Sequence, residues 1–256
     1  MSEITSLEEL NMFIELCGHD FNRFFERFYE IINRGLNIRD IHYTSKYSWN
    51  DFIMIKIPTV GGVIIDKNLK IMKKDDMHDF VCPSYDVSGL KLKNLDYCPI
   101  YTDDFICINN LLTTLDGCPD FSCYYIDVSF NSLTSLKGLN RADSAYIGGS
   151  LFCNYNQLES LKGCIRHIGK DFDCSNNRLM NLKGGTSVVY GNYYCGDNPL
   201  TSLKGAPSRL NGDLLHVNDT QLSQTQIDDY LAFLSCPSNE LIDEDGCYAP
   251  PPYHIY

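Results

Sequence analysis

Between Tyr85 and Leu222 the chain states one short phrase seven times: an apolar residue, a skipped position, Cys or Val, two further positions, Asn, then Leu, Leu and Gly. The clearest copies are Phe105, Cys107, Asn110, Leu112, Leu115, Gly117 and Phe172, Cys174, Asn177, Leu179, Leu182, Gly184. Further copies begin at Ile126, Leu151 and Tyr193, and degenerate ones at Tyr85 (Leu90 in the Asn place) and Leu215 (Thr220 in the Asn place). Starts fall 20 to 25 residues apart, from Tyr85 to Phe105 at one extreme and Ile126 to Leu151 at the other. A fixed period of this length restricts the chain to stacking one supersecondary unit on the next, with irregular copies at the ends.

The residue types say how each unit is built. Two apolar residues flanking a skipped one have the period of a strand, so both point inward and the residue between them points out. Stacked strands then form a parallel sheet. The Asn turns the chain off the strand, and its amide is expected to bond backbone of its own and the neighbouring turn. The two Leu close the interior from the other side, and Gly permits the tight return. The widest gap, before Leu151, predicts extra loop around Arg141 to Ser144.

The phrases Phe-Asp-Cys-Ser-Asn-Asn-Arg-Leu at 172–179 and Leu-Thr-Ser-Leu-Lys-Gly-Ala-Pro at 200–207 resemble leucine-rich repeats. They are similar in particular to a Cys-containing variant, with a Gly-rich approach to the strand (Gly148, Gly149, Gly169, Gly191, Gly212), common in proteins of tailed bacteriophages and other large DNA viruses. The resemblance covers residues 85–222. It implies an α/β solenoid with short parallel strands, protein recognition as its task, and no catalytic residues. The repeats also resemble those of bacterial effector ubiquitin ligases, but too little chain follows them for the catalytic domain such ligases need.

The expected organisation is an amino-terminal cap (1–84), a solenoid of about seven turns (85–222), a capping helix (223–236) and an acidic, Pro-rich tail (237–256). Ser6 and Glu9 form a capping box. Gly18 allows a break, and Phe21, Phe24, Phe25, Phe28, Ile31 and Ile32 share a face before Gly35. Strands are expected over Phe52–Ile57, Val63–Ile65 and Leu69–Met72. Ser223 and Gln226 start the last helix, with Ile227, Tyr230, Leu231 and Leu234 as its buried face. The tail, with Glu240, Asp243, Glu244 and Asp245, reads as mobile. It ends near Pro250–Tyr253, which matches the Pro-Pro-x-Tyr ligand of WW domains.

Twelve cysteines invite a disulfide reading. Cys107, Cys153, Cys174 and Cys195, however, stand where Val87, Val128 and Val217 stand in other copies, so they read as small hydrophobes. Cys98, Cys118 and Cys164 share a second repeat position, and no two cysteines have zinc spacing. No metal or cofactor is expected. The net charge of −12 argues against nucleic acid and anionic membrane as partners; the contrary reading is a nucleic-acid mimic that binds a basic protein. No apolar run approaches a membrane span, and Met1 to Leu10 lacks the pattern of a signal peptide.

Phosphate loops, His-Glu-x-x-His and Gly-x-Ser-x-Gly are missing. Cys17 with His19 and His216 with Asp219 read as incidental, and Asn218–Thr220 as a chance sequon. The chain is therefore read as non-enzymatic, an enzyme being the least favoured alternative. Protein-binding candidates are the outward residues that are apolar, with the acids and the His beside them: Ile106, Ile108, Tyr125, Asp127, Phe152, Asp173, Tyr194 and His216. With the resemblance, these suggest a phage protein that binds a host protein in the infected cell's cytoplasm. The alternative is a virion structural or assembly protein docking through its Phe-rich amino-terminal region.

Overall fold

The computed structural model describes residues 6–20, 22–24, 26–27, 52–57, 60–66, 68–73, 77, 81–119, 121–139, 146–215, 217, 220–235, 242, 244 and 246–247. In chain order these form α1 (Leu7–Leu16), β1 (Phe52–Ile57), β2 (Gly61–Asp66), β3 (Val81–Asp86), β4 (Tyr101–Ile106) and β5 (Phe121–Asp127). Then come β6 (Tyr146–Ile147), β7 (Leu151–Phe152), β8 (His167–Ile168), β9 (Phe172–Asp173), β10 (Val188–Val189), β11 (Tyr193–Tyr194), β12 (Arg209–Leu210), β13 (Leu214–Leu215) and α2 (Gln224–Ser235). Phe21, Phe25, Phe28, Ile31, Ile32, Gly35, the loop 141–144, His216, Asn218, Asp219 and 250–253 lie outside the described residues.

The repeats form a parallel-strand solenoid. Seven strands stack in the order β13-β11-β9-β7-β5-β4-β3, and a second parallel sheet runs β12-β10-β8-β6 beside them. This corrects the α/β expectation: between 81 and 222 the described residues include no α-helix. The return path is Leu-x-x-Leu-x-Gly, too short for a helix. It closes in a turn such as Leu136–Leu139, where the Leu139 N–H reaches the Leu136 carbonyl at 3.1 Å and Gly138 has φ 98°. A type II turn needs that positive φ at its third residue. A Cβ at Gly138 would also stand 2.6 Å from the Leu115 carbonyl carbon of the preceding turn.

The second sheet follows from the Gly-rich approach. β3, β4 and β5 are six or seven residues long. From residue 146 onward each turn instead has two two-residue strands with a glycine corner between them, as in β6 and β7 around Gly148 and Gly149. A Cβ at Gly149 would fall 1.7 Å from the Tyr124 carbonyl oxygen, so only glycine lets the corner pass that close to the turn below.

Inside, apolar rows run from turn to turn. One is Tyr85, Phe105, Ile126, Leu151, Phe172 and Tyr193; another is Val87, Cys107, Val128, Cys153, Cys174 and Cys195; all are 2% exposed or less. Leu92, Leu112, Leu133, Leu158, Leu179 and Leu200 face them, equally buried. Truncating any one Leu to Ala is expected to cost about 2–5 kcal/mol. Between rows runs the Asn ladder. Asn156 Nδ2 donates to the carbonyls of Val128 (3.0 Å) and Cys153 (3.1 Å), and its Oδ1 accepts the Leu133 N–H (3.0 Å). Asn110, Asn131, Asn177 and Asn198 repeat this bonding, each to its own turn and to the preceding one.

Both ends are closed. β1 and β2 pair antiparallel; Met54 and Ile64 join the solenoid core, whereas Ile57, Val63 and Ile65 pack with Leu10, Phe13 and Ile14 of α1. The expected strand Leu69–Met72 supplies one bridge, Ile71 to Ile65. Ser6 Oγ accepts the Glu9 N–H at 3.2 Å. The buried Tyr85 hydroxyl ties the first repeat to this cap, accepting the Gly62 N–H at 3.1 Å. At the other end Ser223 and Gln226 exchange the reciprocal bonds of a capping box. The buried face of α2 is Ile227, Tyr230 and Phe233, with Leu234 partly buried; Leu231, expected inside, is 45% exposed. The Tyr230 hydroxyl ties this face to the solenoid, donating to the Pro207 carbonyl at 2.7 Å. Of the residues expected as a tail, Cys247 is 1% exposed and pairs with Pro207, and Ile242 packs against the core.

Candidate functional site

Strand register lines up one outward residue from each turn. Asp86 pairs with Ile106, Ile106 with Asp127, Asp127 with Phe152, Phe152 with Asp173, and Asp173 with Tyr194. Acid and apolar residue alternate along the row. Adjacent strands lie about 4.8 Å apart, so like residues recur at about 10 Å. The pairing shifts at the last turn. Tyr193 pairs with Leu214 and Tyr194 with Leu215, one residue earlier than the repeat phrase indicates. Leu200 still bonds to Gln221 N–H, as in earlier turns, so the last turn takes up one extra residue in between.

The face is less exposed than the alternation implied. Ile106, Ile108, Tyr125, Phe152, Asp173 and Tyr194 are half-buried, and Asp127 is 8% exposed. The reason is local. Asp127 Oδ1 accepts the Ser129 N–H at 3.0 Å and Oδ2 accepts the Tyr125 hydroxyl at 3.2 Å. Asp86 and Asp173 accept the N–H of Ser88 (3.0 Å) and Ser175 (2.9 Å) in the same way. The recurrent Asp-x-Ser is thus a side-chain turn that ends the strand. Tyr125 and Phe152 rings meet at 5.6 Å and 58°. Burial first, then the negative charge of Asp127, pushes the Tyr125 hydroxyl up to about 12, which keeps it a neutral donor. Asp104, paired with Tyr125 across the sheet, has its carboxyl pKa raised by burial and by the neighbouring Asp103.

Basic residues keep off the large sheet, whereas carboxylates stand both on it and elsewhere, as at Asp116 in a Gly turn. The seven strands of the large sheet contain no Lys, Arg or His. Lys137, Lys162, Lys183 and Lys204 instead occupy equivalent places beside the Gly turns, away from the strands, and Leu136, Leu161 and Leu182 N–H groups bond the carbonyls of Lys162, Lys183 and Lys204. Composition alone had shown acids and lysines interspersed, which hid the sheet's lack of basic residues.

A second constellation follows the strand ends. Asn109, Phe130, Tyr155, Asn176 and Asp197 all have φ between 49° and 55°. Left-handed backbone costs an L-residue roughly 1–2 kcal/mol, and Asn and Asp tolerate it best. Phe130 and Tyr155 are the exceptions. Their rings stack at 4.4 Å and 9°, and they stay 49% and 48% exposed. They line a groove of about 580 Å³ with Asn109, Gln157, Asn176 and Asp197. Comparing the residue before each ladder Asn across copies would have exposed them, since Asn or Asp stands there in the other turns. Elsewhere Lys170 Nζ donates to the Tyr124 hydroxyl at 2.5 Å, and Arg209 lies 5.3 Å from the Tyr190 ring centre.

The ten cysteines described are buried and in the thiol form. Desolvation pushes Cys82, Cys107 and Cys195 up to about 12, and Cys153, Cys164 and Cys174 also upward. Thiolates are the reactive form, so these positions are chemically quiet. Cys17 is buried and His19 is exposed. Among the described residues no three His, Cys, Asp or Glu side chains gather to hold a metal, and no helix is long and apolar enough to cross a membrane. No family model, curated protein or solved structure matches this chain, so the geometry is the ground for any assignment.

Proposed function

We propose that the chain is a non-enzymatic protein-binding module, a leucine-rich-repeat-like protein of phage origin that engages a host protein in the infected cell's cytoplasm through the face of its large sheet. One observation carries the reading. Ile106, Phe152 and Tyr194 alternate in register with Asp86, Asp127 and Asp173 on strands without a basic residue. Rigid apolar anchors between carboxylates suit a partner surface that is itself apolar and basic. The Asx turns hold each acid with an oxygen already bonded, so little side-chain entropy is lost on docking.

The test is affinity capture with the wild-type chain and with a Tyr125→Ala, Phe152→Ala, Tyr194→Ala variant shown by circular dichroism to be folded. A basic host protein retained by the wild type, lost by the variant and released by salt supports the reading. Virion proteins captured equally by both would move the function to assembly through the amino-terminal region.

A further inference from the structure

We infer that the groove at the strand ends is a second binding site, for a short neutral oligosaccharide. The fold accepts Asn or Asp at this left-handed position in three of the five turns, at Asn109, Asn176 and Asp197. Phe130 and Tyr155 forgo that conformational match and leave two stacked rings half-exposed. The backbone geometry does not ask for them, and their stack on each other still leaves about half of each ring open, which suits a ligand with an apolar face.

The rest of the lining sets the ligand's chemistry. Among the described residues the side chains of Asn109, Gln157 and Asp197 have no hydrogen-bond partner, and Asn176 has only a 3.4 Å contact with Ser175. Amides that both donate and accept match hydroxyls, which do the same. No basic group lines the groove and Asp197 does, which disfavours phosphates and anionic sugars. A peptide strand finds nothing to pair with. The N–H groups of Asn109, Phe130, Tyr155 and Asn176 are already bonded to the carbonyls of Ser129, Asn154, Ser175 and Gly196 in the next turn. Turns rise by about 4.8 Å, close to the length of one hexose, so successive sugars would meet successive turns. The groove is open to solvent, so a ligand would lie along it and leave one face in water.

The experiment is saturation-transfer NMR and calorimetry of the full chain with cellopentaose, maltopentaose, mannopentaose and chitopentaose. At least one should bind, with saturation passing to its ring C–H protons. The Phe130→Asn, Tyr155→Asn variant takes the residue type of the neighbouring turns, so it should fold with an equal or higher melting temperature and lose at least about tenfold in affinity. Phe152→Ala with Tyr194→Ala should leave saccharide binding unchanged, which separates this site from the sheet face. Failure of all four sugars to bind, equal binding by the Asn variant, or binding of an oligoproline peptide in their place would overturn the inference.

Discussion

Replacing Asn156 by Ala removes the ladder's three shortest hydrogen bonds at that turn, and with them a longer one of 3.3 Å to the Asn154 carbonyl. The amide donates to Val128 and Cys153 carbonyls and accepts from Leu133 N–H, all within 3.0–3.1 Å, and its residue is 9% exposed. The Leu133 N–H is left buried without a partner, at about 1–3 kcal/mol, and two net bonds are lost at about 1 kcal/mol each. The sum is about 3–5 kcal/mol, read as a drop in the urea midpoint with unchanged slope by circular dichroism. Asn176→Ala is the control. It removes the same atoms from a turn position whose side chain bonds only weakly, so it should cost about 1–2 kcal/mol through its left-handed backbone. Asn156→Asp sharpens the test. Its ionised carboxylate faces two carbonyl oxygens it cannot donate to, so its folded-state pKa lies above the unfolded one, and stability should be greatest in acid and fall as pH rises. A loss below about 1 kcal/mol for Asn156→Ala, or parity with Asn176→Ala, would refute the ladder as a source of stability.

Two glycines separate backbone strain from crowding. Gly89→Ala meets nothing within 4 Å at φ 71°, whereas Gly138→Ala meets the Leu115 carbonyl carbon at 2.6 Å at φ 98°. The first should cost about 1–2 kcal/mol and the second about 3–5 kcal/mol by urea unfolding. Cys174→Val should change stability by less than about 1.5 kcal/mol, since Val128 fills the equivalent place. Cys82, Cys107, Cys153 and Cys195 should resist a thiol reagent at pH 8 until urea is added, as peptide mapping would show. Asp104 has a raised folded-state pKa, so its contribution is favourable below the unfolded carboxyl range and is lost as pH rises. Asp104→Asn should therefore raise the melting temperature at neutral pH, and the gain should shrink as pH falls.

The repeat phrase alone determined the parallel strands, the inward rows from Tyr85 to Tyr193 and the Asn ladder, and two capping boxes determined the helix starts at Ser6 and Ser223. These rest on alternation, on turn chemistry and on capping, all set by residues a few positions apart. The glycine corners were visible as well, though the second sheet they create was not, because its pairing is between turns. Exposure was misjudged for a local reason: Asp127 alternates outward, yet Ser129 and Tyr125, each two residues away, enclose its carboxylate. The extra residue in the last turn, Phe233 in place of Leu231, and Cys247 on Pro207 depend on what each element meets when it docks. The sheet face without basic residues and the stacking of Phe130 on Tyr155 arise only when turns are laid on one another, since stacking makes neighbours of residues about 20 positions apart and thereby turns a periodic string into surfaces.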